Sequence, residues 1–452
     1  MSEEKNKRRE EILTKPLLPL LIKIAVPTII GMLITMIYNL TDTFFIGLLS
    51  KAHLTAAIGV VYSFVSMIQA LGFWFGYGSG NRMSRCLGRR DEKEAELISA
   101  DGLLLSVVSG IVLLIVLYPF SDSIAGFLGA NASERLHESA VVYLRIMLVA
   151  MPFSIYALTL YNQLRLCGNV KDGMLGLMSG IILNIILDPI FILGLDMEIK
   201  GAGYATLIGQ VTGSMVLTFL SFRHGNIKAS LFPVSFKEGR LFHILAGGAP
   251  NFSRQSITSI AGVLLNMAAS KYGENTIAAM TVATRVIMIA YSVMIGIGQG
   301  FQPICAMNYG AGKYDRVRRS FRLTVCAGTI VLVIATPLVF IFADSLSSML
   351  SGNAEVAGLS AYILRIQVLS LPLMAFFAVS SMYMQNMGKY GKALFISVCR
   401  QGIFFMPLVF ILPPLFDETG LYLIQPVADV MSFLAAVLIV RKYGCKEKEG
   451  QR

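Results

Sequence analysis

The feature that most limits how this chain can fold is a series of long apolar stretches separated by short polar ones. Each stretch is close to or above the roughly 20 residues that an α-helix needs to cross a bilayer. They cover residues 17–49, 53–80, 101–119, 139–164, 172–195, 201–222, 241–270, 276–304, 321–343, 359–386, 393–415 and 421–440. Charged residues make up only 14% of the chain, too few to cover a water-facing surface, since soluble proteins carry about 25%. The sequence therefore predicts an all-α membrane protein with twelve transmembrane helices, and it excludes a soluble, disordered or single-span chain.

The distribution of basic residues predicts the orientation in the membrane. Most of the 38 Lys and Arg lie in the segments that share a side with the N-terminus. The opposite loops hold only Lys51, Arg135, Lys200 and Lys271. Basic residues are enriched in cytoplasmic segments of membrane proteins. We therefore expect a multi-pass protein of the plasma (inner) membrane with both termini in the cytoplasm. The net charge of +11 then reflects orientation and contact with anionic lipid, and no nucleic-acid partner is expected.

Two halves of the sequence resemble each other. Pro27 has a counterpart 223 positions later in Pro250. Three further pairs are each 220 positions apart, namely Arg145 with Arg365, Pro152 with Pro372, and Gly168 with Gly388. Six spans per half is an even number, so a parallel pseudo-two-fold repeat along the membrane normal is predicted, as in some secondary transporters. The predicted domains are a cytoplasmic tail (1–16), a six-helix bundle (17–222), a cytoplasmic linker (223–240), a second six-helix bundle (241–442) and a cytoplasmic tail (443–452).

A few polar residues lie deep in the apolar stretches of the first half. Asp42 and Asp188 each precede the outer end of their stretch by seven residues, which is roughly 10 Å. Thr206 is about 8 Å below the same side, and Asn184 shares a helix face with Asp188. Buried carboxylates are costly in a membrane and usually mark ion or substrate pathways. These oxygens are suited to Na⁺ or to a proton, although each Asp could instead pair with a neighbouring donor for packing alone.

The second half lacks this arrangement. Its one deep acid is Asp429, and the cations on nearby stretches are Arg254, Arg285, Arg365 and Arg400. This half is rich in Met and aromatic residues, which suit an adaptable binding surface but also serve as ordinary core and lipid-facing residues. In the first half, Pro27 precedes Asp42 by fifteen residues, and a proline inside a helix removes a hydrogen bond and bends it. The bend would either respond to ionisation of Asp42 or be static.

Several runs together resemble the multidrug and toxic compound extrusion (MATE) family, and within it the branch of staphylococcal-type multidrug exporters. They are Pro27–Met32, Tyr38–Gly47, Pro250–Gln255, and Gly296–Pro303 followed by Asn308–Ala311. The resemblance implies a drug/cation antiporter built from a V-shaped pair of six-helix bundles. Some relatives carry acids in spans 7 and 10, and this chain has none there, so a coupling site of that kind is not expected in the second half.

The resemblance also implies roles for particular residues. It assigns the cation-coupling site to Asp42, Asn184, Asp188 and Thr206, where Na⁺ would bind, with Asn162 as a looser candidate. It assigns the bending proline to Pro27. We expect the substrate cavity to involve a mixed set of polar, basic and apolar side chains. These are Asn39, Tyr38, Arg254, Gln255, Met288, Gln299, Gln302 and Met382.

The sequence is compatible with two functions in transport and argues against one in catalysis. The first is export of amphipathic organic cations in exchange for Na⁺ or H⁺, by a monomer that needs no cofactor. The alternative is a lipid-linked oligosaccharide flippase of the same superfamily, whose cavity for a diphosphate would be lined by Arg254, Arg285 and Arg400. An intramembrane enzyme is not expected, because the sequence lacks paired prenyl-transfer carboxylates and a GxSG serine. It also lacks the phosphate-binding GxxxxGK[ST] motif of ATPases.

Overall fold

The structure is a computed structural model. It describes residues 3–49, 51–223, 225–232, 239–351 and 353–445, apart from the side chains at 36–40, 42, 43, 52, 63 and 132. Sixteen α-helices and no strand are found in this part of the chain. They are α1 Glu3–Thr14, α2 Leu17–Leu48, α3 Ala52–Gly88, α4 Glu92–Leu117, α5 Ser121–Phe127, α6 Glu134–Leu166, α7 Val170–Pro189, α8 Glu198–Ser221, α9 Arg240–Ala269, α10 Glu274–Gly310, α11 Tyr314–Ile341, α12 Ala343–Leu350, α13 Ala354–Val368, α14 Leu373–Asn386, α15 Tyr390–Val398 and α16 Met406–Tyr443. Two short π-helices, Ile190–Gly194 and Cys399–Phe405, follow α7 and α15.

Nine helical segments of the described chain are long and apolar enough to cross a membrane, and α13 with α14, bent by 59° between them, would add a tenth. The apolar segment Tyr390–Tyr443 counts once although it is 54 residues long. At 1.5 Å per residue that is about 80 Å, more than twice the thickness of a bilayer core. Its backbone is non-helical at Phe416 and Asp417, between the last two predicted spans. The all-α membrane class is confirmed, while the count of twelve spans and the pseudo-two-fold axis stay predictions.

Large apolar side chains on the outside of the helices agree with a multi-pass membrane protein. Phe219 is 74% exposed, Leu438 is 68% exposed and Ile115 is 66% exposed. Soluble monomers seldom leave large contiguous apolar patches in water. In hydrocarbon, by contrast, helices satisfy every backbone group internally and can present such side chains to lipid tails.

Contacts divide the chain into two compact units. The first unit comprises Met1–Thr14 and Leu33–Phe252, and the second comprises Lys15–Met32 and Ser253–Arg452. In the first unit α6 packs against α3, α4 and α8, and α7 packs against α8; in the second, α10 packs against α11, α13 and α14. The start of α2 thus belongs to the second unit and the start of α9 to the first. The bundles predicted from the sequence leave α2 and α9 undivided, whereas the compact units divide both helices. The predicted bundle boundaries describe the two halves of the sequence, and they stay a prediction.

In the first unit, glycine allows α9 to approach α3 very closely. A Cβ atom on Gly78 would overlap the carbonyl oxygen of Ile244, and one on Gly248 would overlap that of Trp74. The Trp74 indole donates to the carbonyl of Leu245 at 2.7 Å, and its ring stacks on Phe252 with centroids 4.3 Å apart. These contacts fix the first turns of α9, which include Pro250, against α3.

In the second unit, glycine has the same role between α10 and α2. A Cβ atom on Gly296 would lie 2.7 Å from the side chain of Ile29, and one on Gly300 would lie 2.8 Å from Ala25. Pro27 lies between these contacts, inside α2. The hydroxyl of Thr28 donates to the carbonyl of Ile24 at 2.9 Å, one turn back along the helix.

Candidate ion and substrate sites

The closest grouping of predicted site residues lies between α7 and α8. These helices meet through glycines, because a Cβ atom on Gly180 would overlap the carbonyl of Gly209. One turn further along α7, the Asn184 side-chain amide donates to a carboxylate oxygen of Asp188 at 3.4 Å and to the Thr206 hydroxyl at 3.2 Å. The structure therefore brings together three of the predicted cation-coupling residues.

This trio, Asn184, Asp188 and Thr206, is shielded from solvent. Its members are 1%, 0% and 7% exposed, respectively. The side-chain oxygen of Asn184 is buried, and no described residue donates a hydrogen bond to it. A carboxylate, an amide oxygen and a hydroxyl are the oxygen ligands that hard cations prefer. The donor set therefore fits a small cation, and the carboxylate fits a proton.

A small cavity with a mainly apolar lining adjoins the trio. Its volume is about 20 Å³, and its polar lining residues include Thr206, Gln210, Gln69 and Ser154. That volume holds one water molecule. The Ser154 hydroxyl is buried without a hydrogen-bond partner among the described residues. Sequence reasoning missed Gln69, Ser154 and Gln210, although glutamines within apolar stretches were a signal that could have found two of them.

Asp42 and Asn162, the other two residues predicted for the coupling site, differ in what the structure describes of them. The side chains of Asp42, Asn39 and Tyr38 lie outside the described residues, so their proximity to Asp188 stays a prediction. Asn162 binds within its own helix: its amide donates to the Leu158 carbonyl at 2.7 Å, and its oxygen accepts from Arg165 at 3.0 Å.

Asn162 and Asn184 also lie at different depths. Asn162 is four residues from the end of α6, about 6 Å, whereas Asn184 is fourteen residues into α7, about 21 Å. Because a three-residue link joins these two helix ends, the side chains are separated by roughly 15 Å along the helices. The described contacts therefore give no support to a role for Asn162 beside Asn184.

The second unit has its own buried carboxylate, surrounded by donors. Arg400 donates to one oxygen of Asp429 at 2.6 Å, and Gln425 donates to the same oxygen at 2.8 Å. The Ser370 hydroxyl donates to the other oxygen at 2.7 Å. Arg400 lies on the π-helix Cys399–Phe405, and its guanidinium lies over the ring of Tyr291, 5.5 Å from the centroid. Short π-helical segments inside longer helices are frequent at functional sites.

Beside this network is a cavity of about 190 Å³, which we call the second-unit cavity. It contains three of the predicted substrate residues, Arg254, Gln255 and Met288. Its other lining residues are mostly aromatic, sulfur-containing or amide side chains. They are Thr258, Leu265, Met280, Thr284, Ile287, Tyr291, Gln367, Met374, Phe377, Ser397, Arg400, Gln401, Phe405, Leu421 and Gln425. Arg285, named for the flippase alternative, is exposed and does not line it.

Three other predicted substrate residues pack inside the second unit. Gln299, Gln302 and Met382 are 2%, 0% and 7% exposed, respectively, and none lines the second-unit cavity. The amide of Gln299 lies 4.0 Å from the sulfur of Met32. The sulfur of Met382 packs over Gly298, 2.7 Å from where a Cβ atom would be. The role of all three residues with substrate stays a prediction.

Comparison with known proteins adds a family and a fold. The family described as MatE has a sequence model that matches residues 27–190 and again 250–411, two segments that begin 223 positions apart. The chain is 27% identical over 426 residues to the multidrug export protein MepA of Staphylococcus aureus (strain NCTC 8325 / PS 47), covering 94% of each. It is 28% identical over 417 residues to MepA of Staphylococcus saprophyticus, covering 92% of each.

Solved structures show the same fold. A crystal structure of MATE in complex with MaL6 matches with a TM-score of 0.91 and 25% identity, over 96% of this chain and 98% of that one. A MOP superfamily transporter from Pyrococcus furiosus matches with a TM-score of 0.89 and 25% identity, over 96% and 97% of the two chains. For that transporter, reversed polarity of the binding pocket is taken to suggest a different function.

Proposed function

This chain belongs to the MatE family of membrane transporters, and on that premise we propose that it is a secondary multidrug exporter. It carries amphipathic organic cations out of the cell in exchange for Na⁺ or H⁺. It acts as a monomer with twelve spans in the plasma membrane and both termini in the cytoplasm. The two six-helix bundles are related by a parallel pseudo-two-fold axis, which the two matches of the family sequence support. Both MepA relatives are named as multidrug export proteins, which supports the class of substrate.

The observation that carries the coupling step is the hydrogen-bonded trio of α7 and α8. Asn184 holds Asp188 and Thr206 in one buried group and leaves its own side-chain oxygen without a donor among the described residues. An incoming Na⁺ would be coordinated by this oxygen together with the carboxylate and hydroxyl oxygens. A proton would bind the carboxylate alone. Either ion removes negative charge from the site and so weakens its attraction for a cationic drug.

Asp42 and Pro27 complete the proposed cycle. Asp42 contributes a second carboxylate to the ion site, and two nearby carboxylates would favour capture of one positive charge. Ion binding then changes the bend of α2 at Pro27, where the ring removes a backbone hydrogen bond. Exchange follows because ion and drug do not occupy the protein together, and no nucleotide hydrolysis is required.

The size of the second-unit cavity does not separate drug export from the flippase alternative. At about 190 Å³ it lies below the roughly 300–1,000 Å³ of pockets that enclose drug-sized ligands. A diphosphate that carries an oligosaccharide is larger still. Export of small molecules is the better proposal for this chain because both MepA relatives are named as multidrug export proteins.

The direct test is ethidium transport in proteoliposomes with an imposed Na⁺ gradient or an imposed pH gradient, each without the other. One of the two gradients is expected to drive transport by the wild-type protein. Asp42→Asn and Asp188→Asn should abolish gradient-driven transport. Asp122→Asn is the matched control, because that side chain is 73% exposed and should transport normally. Wild-type transport by both site variants would refute the proposed coupling.

A further inference from the structure

The second-unit cavity differs in charge from the trio of the first unit. Two of its lining side chains are basic, Arg254 and Arg400, and no acid is found among the described residues that line it. Arg400 is neutralised by Asp429, whose carboxylate lies 2.6 Å from it behind the cavity wall. Arg254 is half-buried and forms no ion pair with any described residue. The cavity therefore carries about one net positive charge.

A positive charge that faces an apolar cavity attracts a partner of opposite charge more strongly than the same charge in open water does. Arginine recognises carboxylates and phosphates through two parallel N–H donors, which gives such a partner both affinity and orientation. The rest of the lining suits an apolar ring, since Met288 and Met374 are adaptable and Tyr291 and Phe377 offer flat surfaces.

The volume limits what fits. An engineered apolar cavity of about 150 Å³ binds benzene, so about 190 Å³ holds one aromatic ring with a small substituent. The Arg400–Asp429 pair is held in place by Gln425 and Ser370, and it provides a rigid polar surface next to this ring. We propose that the second-unit cavity binds the acidic end of an amphipathic molecule, an anionic group carried on an apolar body, with Arg254 as its charged partner. This extends the ligand class beyond the cations proposed above and does not depend on the transport cycle.

The test is direct binding to the full-length purified protein in a neutral detergent. The probes are 4-(trifluoromethyl)benzoate and the neutral 4-(trifluoromethyl)benzamide, followed by ¹⁹F NMR. The benzoate should bind at least about tenfold more tightly than the benzamide, because a hydrogen bond to a charged group is worth that much or more. This comparison uses the wild-type protein and so does not depend on the folding of any variant.

Arg254→Gln should remove the preference for the benzoate. Arg285→Gln is the matched control, because Arg285 is exposed on α10 outside the cavity, and it should keep the preference. Equal binding of the two probes to the wild-type protein, or equal losses in the two variants, would overturn the proposal. If the anion-binding proposal is refuted, gradient-driven ethidium transport is unaffected. The anion-binding proposal and the proposed function can therefore be refuted independently.

The natural anion has two possible sources, a small carboxylic acid or the phosphate of an anionic lipid. Repeating the titration in nanodiscs of phosphatidylcholine, with and without phosphatidylglycerol, separates them. If phosphatidylglycerol weakens benzoate binding to the wild-type protein but not the residual binding to Arg254→Gln, the lipid phosphate occupies the site. If it changes neither, phosphatidylglycerol is excluded as the occupant and a small acid is the remaining source. In either case the anion site itself is supported by a benzoate preference that Arg254→Gln removes.

Discussion

Asp188 of the first unit and Asp429 of the second are both buried, but their partners differ. Asp188 accepts a hydrogen bond from the neutral amide of Asn184, whose own oxygen is left without a described donor. Asp429 accepts from a guanidinium, an amide and a hydroxyl, so both of its oxygens are occupied. An added cation would compete with Arg400 at Asp429, whereas in the first unit the amide oxygen is available to it. The comparison supports the proposal that ions exchange in the first unit and that Asp429 has a fixed electrostatic role in the second.

The first prediction has the largest expected effect. Asp429→Asn removes the charge but keeps the shape, and so leaves the buried guanidinium of Arg400 uncompensated. Breaking a buried ion pair from one side costs about 3–5 kcal/mol of unfolding free energy. The loss should be measured by denaturant unfolding in detergent.

Asp344→Asn is the matched control for that loss. Asp344 pairs with Arg365 but is 70% exposed, so its loss should cost no more than about 1 kcal/mol. If the two variants lost equal stability, Asp429 would not be a fixed member of the second unit.

The second prediction concerns the pair as a whole. The double variant Arg400→Met with Asp429→Leu removes both charges and leaves neither uncompensated. Replacing a buried pair with apolar residues is often neutral, so the double variant should recover at least about 2 kcal/mol of the loss in Asp429→Asn. The same unfolding assay measures the recovery. Additive losses from Arg400→Met and Asp429→Leu would instead show that the two side chains do not act as a pair.

The third prediction applies to the first unit. The ion whose gradient drives transport should also stabilise the detergent-solubilised protein, by about 2.7 kcal/mol at one hundred times its dissociation constant. Asp188→Asn should lose this stabilisation, measured as the shift in unfolding with Na⁺ or with pH. Asp122→Asn should keep it, because that exposed side chain is far from α7 and α8 in sequence. Retention of the full stabilisation in Asp188→Asn would place the ion elsewhere.

The helical class of the fold was predictable from the sequence because a bilayer leaves the backbone few alternatives. Apolar runs of about 20 residues must form helices that satisfy their own hydrogen bonds. The sharing of α2 and α9 between the units was not predictable. It depends on contacts such as Gly248 with Trp74 and Gly300 with Ala25, between residues more than 150 positions apart. No local sequence pattern predicts which helix will pack against a given glycine.

The candidate sites, like the fold, were predictable only in part. The contact of Asn184 with Asp188 followed from their spacing of four residues in one helix, and Thr206 was placed near them by depth alone. Arg400 and Asp429 pair across two helical segments. Both residues were identified in the sequence, but nothing in the sequence indicated that they form a pair. Gln299, Gln302 and Met382 are buried and do not line the second-unit cavity, and their predicted role with substrate stays a prediction.

The last prediction compares two hydroxyls and has the smallest effect. Ser370→Ala removes one donor to Asp429, and Thr206→Val removes the acceptor for the amide of Asn184. Each variant should lower the unfolding free energy by about 1 kcal/mol, since each loses one buried hydrogen bond. Only Thr206→Val removes an oxygen from the proposed Na⁺ site, so only it should weaken Na⁺ binding, by about tenfold. Titration of each variant with the ion separates them, and equal affinities would exclude the Thr206 hydroxyl from the ion site.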